Sequence, residues 1–111
     1  MNGAAVISVN VLLLAACGLG SVHPGDKARI NVSAATACDS LEAFARLDQY
    51  VNEDHNVERA NRELMAPGHC HGIKQDEAVS VVGESGEYRE IQRSDGTRVW
   101  TSWVFLLFTG H

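Results

Sequence analysis

The sequence predicts an α+β domain, a small barrel or sandwich of short strands with an inserted pair of helices, carried behind an apolar leader. Three observations lead there. From Glu77 onward, short runs of alternating apolar and polar residues are broken at close intervals by glycine turns, as in a small antiparallel sheet. Between residues 41 and 65, apolar residues instead recur three and four apart, the period of a helix that buries one side. The third is an uncharged opening run, VLLLAACG (Val11–Gly18), that belongs to neither pattern.

Bulk composition narrows the function classes. The 111 residues make one domain, and 45% apolar content is that of a folded chain. A net charge of −5 argues against nucleic acid, because phosphate binding needs clustered Lys and Arg. Lys27 and Lys74 are the two lysines, and the arginines are interleaved with acids, so no basic patch is visible along the chain.

The leader comes first. Ala4–Ala16 carries no charge; it is too short to span a bilayer, which takes about 20 apolar residues, and has the length of a signal-peptide apolar region. The quartet Leu14-Ala15-Ala16-Cys17 resembles the lipobox of bacterial lipoproteins. That resemblance implies a signal peptide over 1–16, cleavage before Cys17, and acyl chains such as palmitate on the Cys17 sulfur and amine. Met1-Asn2-Gly3 departs from the family, whose signals start with Lys or Arg. The competing reading is a buried strand ending in a core cysteine. Two or more acyl chains, at about 0.8 kcal/mol per buried methylene, anchor a protein stably. In enteric lipoproteins an Asp after the cysteine causes retention at the inner membrane. Gly18 therefore implies the outer membrane, with the domain facing the periplasm or the exterior.

Residues 17–27, containing GLGSVHPGDK, read as a lipidated tether, and the domain is expected over 28–111. Ala28–Ala37 is a first strand, with Ile30 and Val32 alternating with polar neighbours. Asp39 and Glu42 mark a helix start, Leu41, Phe44, Leu47 and Val51 follow at helical spacing, and Glu42 and Arg46 form an outer i,i+4 pair. After a polar break at Asn52–Asn56, a second helix spans about Val57–Met65 with Val57, Ala60 and Leu64 on one side, stopped by Pro67-Gly68. Together they make a helical hairpin at about 40–66, whose apolar side must cover something else.

The remainder supplies that cover. Glu77–Val82 is a strand, Glu84-Ser85-Gly86 a turn, and Tyr88–Arg93 a strand with Ile91 inward. Ser94-Asp95-Gly96 is a tight-turn signal, followed by strands over Arg98–Ser102 and Val104–Phe108. The stretch AVSVVGESGEYREIQRSDGTRVWTSWVFL (Ala78–Leu106) resembles bacterial SH3-like domains. The resemblance covers about a quarter of the chain and implies a small, partly open barrel with a binding role. The helical hairpin would be an insertion after the first strand.

Candidate sites follow. Cys38 and Cys70 flank the hairpin and, in an exported protein, are expected to pair, with free or metal-bound thiols as the alternatives. His69 and His71 share a face of an extended segment and could take Cu, Ni or Zn with further ligands from elsewhere, or lie idle at the surface. Tyr88, Trp100 and Trp103, with Tyr50, could line an aromatic groove for peptide or sugar, or be core. No GxSxG, HExxH or phosphate-loop motif occurs, and no catalytic residue or cofactor is expected. The expected function is a non-enzymatic envelope lipoprotein that binds peptidoglycan or an envelope protein. The alternatives are a metal-binding lipoprotein using His69 and His71, and a purely structural envelope component.

Overall fold

Val22 is already buried, ahead of the expected domain boundary at residue 28. The computed structural model of the protein describes residues 21–111, so the leader, the Leu14–Cys17 quartet and the start of the tether lie outside the described residues. Val22 is fully buried, and a tight turn follows it: Asp26 N–H donates to the His23 carbonyl, and His23 N–H donates back to Asp26 Oδ2 at 2.9 Å. That amide holds the Asp26 carboxyl below the ordinary carboxylate range. Gly25 sits at φ 101°, where only glycine is unstrained, and its N–H donates to Val81. Val22 and Asp26, within the stretch read as tether, are thus packed against the sheet.

The strand expected over Ala28–Ala37 is two strands, β1 (Lys27–Ile30) and β2 (Thr36–Cys38). They separate because they serve different neighbours: β1 lies between β4 (Ala78–Ser85) and β7 (Leu106–Gly110), β2 between β3 (Cys70–Gly72) and β6 (Arg98–Ser102). Helix α1 (Leu41–Asp48) starts one residue later than expected. Ser40, in extended geometry, is the cap and accepts the Ala43 N–H, whereas Asp39 meets the His69 ring.

α1 runs on into a wide π-type turn, Gln49–Glu53, and α2 (Val57–Ala60) does the same over Asn61–Met65. A residue with left-handed backbone, His55, lies in the break between them. The buried Tyr50 ties the two segments: its hydroxyl donates to Glu63, and the Arg59 guanidinium lies 4.3 Å over its ring while also donating to Glu63. Arg59–Glu63 is thus an i,i+4 pair, whereas Glu42 and Arg46 form none among the described residues. On the second segment Ala60 and Leu64 are buried as expected, but Val57 is exposed.

The seven strands form one antiparallel sheet in the order β3-β2-β6-β5-β4-β1-β7, with β5 spanning Tyr88–Gln92. The sheet is open, with β3 and β7 at its two edges. Period two is obeyed along the meander: Val79, Val81, Ile91 and Val99 point into one core with Ala28, Ile30 and Leu106. The β4–β5 turn falls at Gly86–Glu87, because β4 continues through Ser85. The β5–β6 turn is at Ser94-Asp95-Gly96 as expected; Gly96 adopts φ 90°, and Asp95 accepts from both the amide and the hydroxyl of Thr97. The helical hairpin packs on Tyr88 and Trp100, at the β2–β6 end of the sheet, and forms a second core. Cys38 and Cys70 face each other across β2 and β3 and form a disulfide inside this core. Among the described residues no helix is long and apolar enough to cross a membrane.

Candidate functional site

The apolar stripe of α1 continues into the π-type turn that follows it. Phe44 is buried on Tyr88, ring edge to face with centroids 5.3 Å apart. One and two turns further on, Leu47 and Val51 stay half-buried. Opposite them the chain leaves β6 and makes a single helical turn, Trp103–Phe105, whose cap is the Ser102 hydroxyl. Between these two walls lies a cleft of about 300 Å³, with Phe44, Leu47, Val51, Tyr88, Val104 and Phe105 as its apolar surface.

Its polar lining is acidic. Asp48 and Glu87 border the cleft together with Asn52 and Ser102. The Tyr88 hydroxyl donates to Asp48 Oδ2 at 2.8 Å, and Asn52 donates to the other oxygen of the same carboxylate. Burial, then the bond to Asp48, then the negative charges of Asp48, Glu87 and Glu53 push the Tyr88 phenol up to about 12. A shallower depression adjoins on the far side of Tyr88, bordered by Leu41, Ala45, Glu42 and Glu87. The arrangement suits a ligand with an apolar part for the floor and a positive group for the rim.

The raised phenol carries a prediction. A group whose pKa is higher in the folded state stabilises the fold fully below its unfolded value and loses that contribution as pH rises through the folded value. Stability should therefore fall between the ordinary tyrosine pKa of about 10 and about 12. Absorbance titration at alkaline pH should show Tyr88 ionising late, and Asp48→Asn should bring it part of the way back, since burial is the larger cause.

The residues singled out from sequence are not all brought together. Tyr88 lines the cleft; Trp100 and Trp103 do not. Trp100 lies opposite Glu90 and packs under the helical hairpin, so it serves the second core. Trp103 is half-buried at the start of the helical turn and donates its amide to the Glu87 carbonyl. The aromatic partners of Tyr88 are instead Phe44 and Phe105. The signal that could have found the cleft was present: Phe44, Leu47, Asp48 and Val51 fall on one helical face, and a carboxylate inside an apolar stripe asks for a partner.

His69 and His71 are engaged separately. The exposed His69 ring meets Asp39 at 3.4 Å, while the His71 Nε2 lies 3.3 Å from Arg93 Nη1. Arg93 is itself paired through two nitrogens with Glu77, at 2.7 and 2.9 Å. Because a guanidinium only donates, His71 Nε2 is the acceptor, and its lone pair is turned toward a cation. Among the described residues no three His, Cys, Asp or Glu side chains come together as a metal site.

No protein-family model, no curated protein and no solved structure matches the chain.

Proposed function

We propose that the protein is a lipid-anchored, non-enzymatic binding module of the bacterial cell envelope, an SH3-like domain whose cleft holds an extended peptide segment carrying a positive charge. The observation that carries this reading is the cleft itself, with an apolar floor between α1 and the Trp103–Phe105 turn and carboxylates at its rim. Aromatic-lined grooves take extended peptides because flat, stiff side chains offer contact area at little entropic cost. The SH3-like assignment is supported by the three-stranded meander β4-β5-β6, a terminal strand that returns to β1, and helices inserted between β1 and β4. Export is supported by Leu14-Ala15-Ala16-Cys17 and by the Cys38–Cys70 disulfide, a bond that persists in oxidising compartments. With that pair closed, Cys17 is the remaining cysteine, and lipid would cap it.

Two sources offer such a segment, the stem peptide of peptidoglycan and an exposed stretch of an envelope protein. Co-sedimentation of the mature protein with purified sacculi in mild detergent tests the first. Saturable pelleting is expected, weakened about tenfold, equivalent to about 1.4 kcal/mol, by Val104→Lys or Glu87→Lys. Both positions are exposed on the cleft wall, and Val57→Lys, exposed outside the cleft, is the control. If sacculi fail to bind, a photo-cross-linking residue at position 51 in cells should capture one envelope protein that a residue at position 57 does not. Binding in neither assay, or binding indifferent to Val104 and Glu87, sinks the proposal.

A further inference from the structure

We infer that strand β7, an edge of the sheet among the described residues, rests on the surface of the membrane that holds Cys17, with Leu107 and Phe108 among the lipid headgroups and Lys27 and Arg29 against anionic phospholipid. This rests on the lipid anchor proposed above. It begins from a length. Gly18–Ser21 separate Cys17 from Val22, which is buried and whose carbonyl accepts from the buried Arg89. An extended chain covers at most about 3.6 Å per residue, so Val22 lies within roughly 18 Å of a lipidated Cys17. A domain held that short cannot stand clear of the bilayer, and one of its surfaces must face the headgroups.

The turn at Val22–Asp26 selects the surface. Asp26 Oδ1 is 3.0 Å from the His111 ring, and that ring packs edge-on against Phe108 with centroids 5.1 Å apart. β1 leaves the turn at Lys27 and pairs with β7, Ala28 opposite Phe108 and Arg29 opposite Leu107. Leu107 is 47% exposed and Phe108 43%. As neighbours on a strand they point to opposite sides of the sheet, so the edge is apolar on both. Lys27 and Arg29 are exposed on the Leu107 side of that edge, and neither makes an ion pair among the described residues, although the chain as a whole carries −5. Apolar side chains flanked by free cations are what an anionic bilayer surface attracts. The backbone groups on the outer side of β7, unpaired among the described residues, keep the contact shallow, because in the headgroup layer water satisfies them and in hydrocarbon nothing does.

The test uses the mature protein, reconstituted through its own lipid into phosphatidylethanolamine vesicles with or without phosphatidylglycerol, and containing a phospholipid with a photoreactive headgroup. Mass spectrometry of the N-terminal peptide first reads the acyl chains on Cys17. Cross-links are expected to concentrate on residues 106–111. Omitting phosphatidylglycerol, or introducing Lys27→Glu with Arg29→Glu, should reduce their yield about tenfold. Leu107→Ser with Phe108→Ser, both at exposed positions, should move the labelling off β7 while the disulfide and melting transition persist. An unlipidated Cys17 overturns the anchor and this inference together. A lipidated chain labelled evenly, or on the helical hairpin, overturns the inference alone.

Discussion

Replacing Cys38 and Cys70 together by alanine is expected to lower stability by about 3–4 kcal/mol and the melting temperature by about 15–25 °C. The bond joins residues 32 apart in sequence, and cross-linking a loop of that size removes conformational freedom from the unfolded chain. Both cysteines also pack in the helical-hairpin core, so their loss thins that core as well. The effect should be uneven. The hairpin loosens first, while the core around Ile30, Val81 and Ile91 lies on the other face of the sheet. Because α1 is one wall of the cleft, ligand binding should decline with the hairpin rather than with global unfolding. Thermal melts with and without reductant check this: reduced wild type should match the double variant. A shift of only a few degrees would mean that Tyr50, Arg59 and Glu63, with Phe44 on Tyr88, hold the hairpin unaided.

Arg89→Met is expected to cost about 3 kcal/mol, near the disulfide in size but acting at the other core. Arg89 is buried, and it donates to three main-chain carbonyls: Val22 through Nε at 2.7 Å, and Gly86 and Tyr88 through Nη1 at 2.6 and 3.0 Å. Methionine fills the volume and leaves all three acceptors without this donor. Lysine should recover little, since one ammonium cannot reproduce the planar fork. Glu84→Gln should cost far less than Arg89→Met, because Glu84 is partly exposed and 3.9 Å from the guanidinium. Urea midpoints order the variants. Hydrogen exchange adds the location: the Gly25 and Asp26 amides, bonded to Val81 and His23, should lose protection first in Arg89→Met. Equal loss across the whole sheet would show that Arg89 supports the core at large and does not specifically tie down residues 22–26.

Much of the secondary structure was legible because each element advertises its own period or its own stop. Residues 57–65 read as a helix from Val57, Ala60 and Leu64 and a Pro-Gly stop, and they are helical throughout, although the second part is a π turn. The Asp95-Gly96 hairpin and the inward Ile91 are equally local facts. The misreadings all occur where partners, not neighbours, decide. Ala28–Ala37 has strand composition from end to end, yet it divides because β1 and β2 join different neighbours. Asp39 is as good a cap by composition as Ser40, and the Asp39 carboxylate instead meets His69 from thirty residues away. Val57 matches the helical face but has nothing to cover it.

The candidate site was the least legible part. Tyr88 was singled out beside Trp100 and Trp103, on the principle that large aromatics make grooves, but the tryptophans went to packing under the hairpin and to the start of a turn. Which aromatic becomes core and which stays half-open depends on where the helical hairpin and the Trp103–Phe105 turn come to lie against the sheet, and no local pattern encodes that.

By itself, then, the sequence determined the α+β class, the helical hairpin, the strand-and-turn meander after residue 77 and the two cysteines that flank the hairpin. These follow from periodicity and backbone preference, which act within a few residues. Only the tertiary structure decided that Val22–Asp26 belongs to the domain, that Cys38 and Cys70 meet across β2 and β3, and that Phe44, Asp48, Tyr88 and Phe105 surround one cleft. Each of those joins segments far apart in the chain, and their meeting is set by which faces bury each other, a property of the packed whole.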